Sequence, residues 1–279
     1  MLYMPSTKKI KNIFGKTKAI TIGAIHLSPL LGYPDFPGFK IAERNALHDL
    51  RTFELAGFDA VIFENNYDLP HQEFVSPAVI TSLMDLGMRI KTATLLPVGI
   101  SVLWNDYLAA LSIAKTLDLA FIRIPVFVDR VKTAYGIIEG DPQKIIHTRK
   151  ELHAENVALF TDIHVKHAEI LSSHSLMESA KQAIKQGSDA LIVTGQWTGD
   201  APQMQELSDL RKHVGTFPIF AGSGVNKKNI RTICKFANGV IISTALKNGD
   251  TLSHEINVKS YSQRISKTRA KAFIDTLHA

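Results

Sequence analysis

Residues 157–194 read VALFTDIHVKHAEILSSHSLMESAKQAIKQGSDALIVT. The stretch opens on an apolar run of strand length, Val157–Ile163, and closes on another, Asp189–Thr194. Uniformly apolar runs of this kind suit parallel strands covered on both faces. Between them, Ser175 with Glu178 spells a capping box that starts a helix. Gly187, just before the second run, suits the left-handed conformation that ends one. Strand, crossover helix and parallel strand make one βαβ unit.

The same unit repeats in both directions. Strand candidates are Ala19–Ile25, Asp59–Glu64, Leu96–Val102, Leu119–Ile124, Val157–Ile163, Asp189–Thr194, Phe217–Ala221 and Asn238–Ile242. Ser76-Pro77 and Asp141-Pro142 each place an N-cap before a proline at the first helical position. Gly57 closes a helix just before the second strand. Eight such units predict an α/β chain closed into a (βα)8 TIM barrel. An open doubly wound sheet would want a glycine-rich fingerprint after the first strand, where His26-Leu27-Ser28-Pro29 stands instead. One domain is expected over residues 1–279. Residues 1–18 form an amphipathic lead-in whose Ile10, Ile13 and Phe14 cover one barrel end, and residues 253–279 form a final helix.

Composition narrows the function classes. The chain carries a formal charge of +6, but the excess sits at its ends. Lys8, Lys9, Lys11, Lys16 and Lys18 meet no acid in the first 18 residues. Lys259, Arg264, Lys267, Arg269 and Lys271 face only Asp275 near the other end, and the remainder is net acidic. Basic ends read as solvated ends, and no reader motif or basic face indicates nucleic acid. No apolar run approaches the ~20 residues of a membrane span, and no secretory leader is evident. The single cysteine, Cys234, excludes an internal disulfide and suits a reducing compartment, so a cytoplasmic protein is expected. It falls in the penultimate helix and reads as packing. Homo-oligomerisation is expected on general grounds.

Ligands of such barrels bind at the C-terminal strand ends, so the polar residues there are the candidates. The first strand ends in His26 and the second in Glu64-Asn65. The third leads to Asn105, and the fourth holds Arg123, with Glu139 in the long loop beyond. The fifth delivers Asp162, His164, Lys166 and His167, and the sixth Thr194 and Gly195. The seventh runs into Gly222-Ser223-Gly224 and the eighth into Ser243-Thr244. Glycines there let backbone amides face an anion, and loops seven and eight are the recurrent phosphate position of these barrels. The phosphate-binding type is therefore expected, with bound phosphate or sulfate and no cofactor.

Alternation along an extended segment would put Asp162, His164 and Lys166 on one side. A carboxylate beside a histidine or lysine is a workable acid/base pair, and a structural ion pair is the plainer alternative. Arg123 could pair with Glu64 or Asp162 rather than meet a ligand. A divalent metal held by Asp162 and His164, with His167 or His26, is conceivable but has no strict signature.

These same residues resemble the BtpA/SgcQ family of TIM-barrel proteins, from about Phe14 to Lys247. The motifs are Gly23-Ala-Ile-His26-Leu-Ser-Pro29-Leu30, Glu64-Asn65, Pro97-Val-Gly99, Val102-Leu-Trp104-Asn105-Asp106 and Gly136-Ile-Ile-Glu139-Gly140. Asp162-Ile-His164-Val-Lys166-His167-Ala168, Thr194-Gly195-Gln-Trp-Thr198-Gly199, Gly222-Ser-Gly224 and Ala245-Leu-Lys247 complete the series. Leu31 stands where the family usually has proline, and Ser243 where glycine is common. The resemblance implies either photosystem I biogenesis, as in photosynthetic members, or a nucleosidase-type activity. The barrel also resembles the wider phosphate-binding group, which includes prenyltransferases acting on glycerol phosphate.

The leading expectation is an enzyme acting on a small sugar phosphate or nucleoside phosphate. Its phosphate would anchor on Ser223, Gly224 and Ser243, with Thr244 and Gly222 beside them. Asp162 or Glu64 would act as base, with Lys166 and His164 as acid or oxyanion partner. His26, Asn65, Asn105, Arg123, Glu139, His167, Thr194 and Gly195 would complete the ligand contacts. A non-catalytic assembly factor that retains a pocket is the alternative, and prenyl transfer a further one.

Overall fold

The computed structural model describes residues 6–195, 200–250 and 257–279. Helix α1 spans Ser6–Phe14, followed by β1 (Ile20–His26), α2 (Phe39–Ala56), β2 (Ala60–Glu64), α3 (Pro77–Thr92) and β3 (Val98–Ser101). Next come α4 (Tyr107–Thr116), β4 (Phe121–Ile124), β5 (Arg130–Thr133), β6 (Gly136–Glu139), α5 (Pro142–Glu151), β7 (Ala158–Ile163) and β8 (Ala168–Ile170). The chain continues through α6 (Leu176–Lys185), β9 (Ala190–Val193), α7 (Met204–Val214), β10 (Ile219–Gly222), α8 (Ile230–Ile233), β11 (Gly239–Ile242), a 3-10 turn at Thr244–Leu246 and α9 (Lys267–His278).

Eight strands close into one parallel barrel in the order β1, β2, β3, β4, β7, β9, β10, β11, with β11 returning to β1. The fold is a TIM barrel. Each expected strand is present, generally trimmed by a residue or more at its ends. The helix signals act as their chemistry requires. The Ser76 side chain accepts from the Val79 amide, the Asp141 side chain from the Lys144 amide, and Ser175 and Glu178 form the reciprocal box. Gly57 takes φ 91° after α2, and its amide bonds back to that helix.

The two strand faces have separate cores. Outward residues such as Val61, Phe63, Ile100 and Leu159 pack under the helices. Inward residues fill the lumen, among them Ile20, Ile22, Ala60, Ile62, Phe121, Phe160 and Phe220. The Phe160 ring lies 4.7 Å from that of Phe121 and 4.9 Å from that of Phe220. Phe14 sits 6.0–6.2 Å from all three rings, and Ile10 is wholly buried with them, so α1 stoppers the N-terminal end. Gly99 is required here, because a Cβ on it would overlap the Phe121 ring.

Two regions differ from the sequence reading. Residues 136–139 are strand rather than loop. β5 pairs antiparallel with both β6 and β8, making a three-stranded sheet beside the barrel mouth. Val131 and Ile138 pack there with Trp104, Val126 and Val165. The final helix starts at Lys267 rather than Ser253. Residues 257–266 are irregular, the Ser266 side chain caps α9 by accepting from the Arg269 amide, and residues 253–256 lie outside the described residues. No described helix is long and apolar enough to cross a membrane.

Candidate functional site

The lumen rows continue directly into the site. Side chains on a strand alternate with period two, so the residue two past each lumen residue also faces inward, one layer higher. From Ala24, Ile62, Phe121, Phe160, Phe220 and Ile241 this step gives His26, Glu64, Arg123, Asp162, Gly222 and Ser243. The apolar plug thus ends in a polar layer.

Above that layer lies a cavity of about 380 Å³, lined among others by His26, Glu64, Arg123, Lys166, Ser223 and Ser243. At its floor Arg123 donates from Nε to Asp162 Oδ1 at 2.9 Å and from Nη2 to Oδ2 at 2.8 Å. Its Nη1 donates to Glu64 Oε1 at 3.2 Å. Burial acts to lower the Arg123 pKa, but Asp162 and Glu64 outweigh it and hold the guanidinium above its ordinary value. Glu64 Oε2 stands 4.0 Å from His26 Nε2. Burial, then Lys247, Lys166 and Arg123, push His26 well below the usual range, so its ring is neutral near pH 7.

Lys166 follows β7 in a turn where His164 and His167 take φ 50° and 59°. Its backbone amide donates to Thr194 Oγ1 at 3.1 Å, which anchors the turn to the end of β9. Burial and the Arg123 charge lower the Lys166 ammonium to about 8, against the pull of Glu64 and Asp162. Such an amine is partly neutral near physiological pH, as an amine acting as base or nucleophile must be.

The wall beyond β9 belongs to β10 and β11. Ser223 and Gly224 take φ 74° and 59°, and a Cβ on Gly224 would overlap the backbone of Asp200 and Ala201. Ser243 opens the 3-10 turn, and its Oγ is buried without a hydrogen-bond partner among the described residues. Leading amides of a helical turn have no acceptor within it, and Thr244 and Ala245 line this cavity. Lys259 and Arg269 line the same cavity. Arg269 donates to the Lys247 carbonyl, which ties α9 to the end of the barrel.

Several candidates stand elsewhere. His164 does not share a side with Lys166, because β7 ends at Ile163 and the left-handed turn breaks the alternation. Its Nε2 lies 3.2 Å from the His174 carbonyl, and with Thr194 and Gly195 it lines a separate outer recess. Asp162 is 1% exposed and sits behind Arg123 rather than in the cavity wall. Asn65 and Asn105 are structural clamps. The Asn65 side chain bonds both the amide and the carbonyl of Leu103, and that of Asn105 does the same for Val126. Glu139 points outward from β6, mostly exposed and 3.8 Å from Arg130, because Ile138 takes the inward position. Among the described residues no three histidine, cysteine or acidic side chains gather as metal ligands. Thr198 and Gly199 lie outside the described residues.

The family model described as BtpA family matches residues 16–272. This chain belongs to the BtpA family. An uncharacterised protein of Pyrococcus abyssi is 35% identical over 250 residues, 88% of this chain and 94% of that one. The photosystem I biogenesis protein BtpA of Synechocystis is 32% identical over 260 residues, 92% and 87% of the two chains. In fold, this BtpA-family barrel is similar to (S)-3-O-geranylgeranylglyceryl phosphate synthase from Thermoplasma acidophilum, solved with sn-glycerol-1-phosphate. The TM-score is 0.60 at 10% identity, over 99% of both chains.

Sequence reasoning missed part of the wall of this BtpA-family cavity. His71, Tyr135 and Trp104 line it, with the His71 ring 5.5 Å from that of Tyr135. Their positions depend on loop and sheet packing that no period predicts. Lys259 and Arg269 were assigned to a solvated tail; the C-terminal excess of basic residues was the usable signal.

Proposed function

We propose that the barrel mouth binds a small phosphorylated molecule and acts on it as an enzyme. The phosphate rests on Ser223, Gly224, Ser243 and the leading amides of the 3-10 turn, with Lys259 and Arg269 supplying positive charge. The reacting end faces Lys166 and Glu64. The observation that carries this reading is their convergence: two anion-suited loops and a buried amine lowered to about 8 share one cavity. Unpaired polar groups are costly to bury without a use, and Ser243 Oγ is such a group.

The acid/base assignment narrows to Glu64 and Lys166. Asp162 acts through Arg123, fixing the guanidinium that in turn orients Glu64. Cleavage of an N-glycosidic bond by two flanking carboxylates would need a second carboxylate in the wall, and Asp162 does not line it.

Titration calorimetry of phosphorylated sugars and nucleosides against their dephosphorylated counterparts tests the reading. Phosphorylated members are expected to bind, and equal affinity for both sets would overturn it. A second reading, a non-catalytic biogenesis factor that senses such a ligand, is favoured by the name of the Synechocystis relative. Lys166→Met separates the two. An enzyme loses turnover while keeping ligand affinity, whereas a sensing factor keeps its cellular role.

A further inference from the structure

We propose that Lys166 is a Schiff-base lysine whose amine condenses with the carbonyl of a phosphorylated aldehyde or ketone seated in the barrel mouth. The proposal rests on the phosphate reading above and adds the chemistry of the ligand's other end. Lys166 lines the same cavity as Ser223, Gly224 and Ser243, so a ligand held there by its phosphate extends toward the amine.

The charged groups facing that amine suit a cationic product. Glu64 comes from β2, Arg123 from β4 and Asp162 from β7. Two carboxylates against one guanidinium leave one net negative charge beside the nitrogen. The neighbouring histidines add no opposing charge near neutrality. His26 on β1 is held well below the ordinary range, and burial lowers His167 to about 4. An iminium formed there would face the same two carboxylates, which offset part of its charge.

The step balances without an external oxidant. The neutral amine attacks the carbonyl carbon, a C–N bond forms, and the π pair moves to oxygen. One proton passes from nitrogen to that oxygen. A second proton, from solvent by way of Glu64, converts the hydroxyl to a leaving water, and the nitrogen pair forms the iminium double bond.

Low basicity alone does not make such a site. Lys247 is lowered to about 7, yet it is wholly buried under the Tyr67 ring and its Nζ donates to Tyr67 Oη at 2.9 Å. It is absent from the cavity lining and serves as an internal control.

The test uses the full chain, pyridoxal 5′-phosphate as a phosphorylated aldehyde probe, borohydride reduction and peptide mass mapping. Lys166 is expected to carry the dominant label near pH 7.5, with Lys247 unlabelled. Inorganic phosphate should protect Lys166, and pyridoxal without phosphate should label it at least about tenfold less, the worth of one charge-assisted hydrogen bond. The labelling rate should level off above about pH 8, whereas exposed lysines keep gaining toward pH 10. Lys166→Arg should remove the label while calorimetry still detects phosphate. An unlabelled Lys166 in wild-type protein that binds phosphate overturns the Schiff-base assignment and leaves the phosphate reading standing. Absence of phosphate binding strikes that reading itself. The wild-type labelling and protection decide the matter even if the variant fails to fold.

Discussion

Arg123 grips Asp162 with two parallel hydrogen bonds, Nε to Oδ1 at 2.9 Å and Nη2 to Oδ2 at 2.8 Å, across neighbouring barrel strands. With Glu64 on its third arm, the guanidinium sits between two buried carboxylates at the top of the aromatic plug. Removing the cation would leave both of them underpaired in a dry environment. Arg123→Met should therefore destabilise the fold by about 3–5 kcal/mol, measured by urea unfolding. Adding Asp162→Asn to that variant should recover part of the loss. A single variant as stable as wild type would show that the triad is not tightly coupled.

A pH dependence follows from Lys247. Its amine is lowered to about 7 in the fold from 10.5, mainly by burial. Between those values the unfolded chain binds more protons, so stability rises with pH. The full benefit lies above 10.5 and is lost as pH falls through about 7. Urea midpoints should accordingly climb from pH 7 to pH 9, with Lys166 contributing in the same direction. Lys247→Met should flatten part of that climb. Identical slopes in the two proteins would refute the assignment.

Ser243→Ala separates ligand binding from stability. Its buried Oγ has no partner among the described residues, so its removal should not destabilise the fold and should raise the urea midpoint slightly. Phosphate affinity should fall by roughly ten- to a hundredfold, the worth of one hydrogen bond to a charged group. Unchanged affinity in calorimetry would remove Ser243 from the site.

The barrel was legible because its signals are local and repeated. Capping at Ser76, Asp141 and Ser175 and the apolar strand runs each depend on residues a few positions apart. The lumen layer was legible too, since His26, Glu64, Arg123 and Ser243 follow from strand alternation alone. His164 was misplaced because that alternation stops where β7 ends, in a turn set by contacts with Asp129 and Thr194. The antiparallel sheet was missed because β5 and β8 are 35 or more residues apart in pairing, at Val131 and Ile170 among others, and each strand has four residues or fewer. Lys259 lines the cavity because residues 257–259 border it, and Arg269 reaches it from the first turn of α9, which composition cannot foresee.

Gly224 offers a steric check. It adopts φ 59°, and a Cβ would collide with the backbone of Asp200 and Ala201. Gly224→Ala should displace this loop, costing at least about 1–2 kcal/mol from the left-handed conformation alone. Phosphate binding should be lost, while circular dichroism still reports the barrel. Retained binding would mean that the loop does not form the anion site.

Under the proposed function, the loops after β10 and β11 together hold a phosphate. The most direct measurement is difference density from crystals of the full chain soaked in inorganic phosphate. A tetrahedral peak is expected between Ser223-Gly224 and Ser243-Thr244, within hydrogen-bond distance of both. Phosphate seated only elsewhere in the mouth, or nowhere at a concentration that saturates binding in solution, would contradict it.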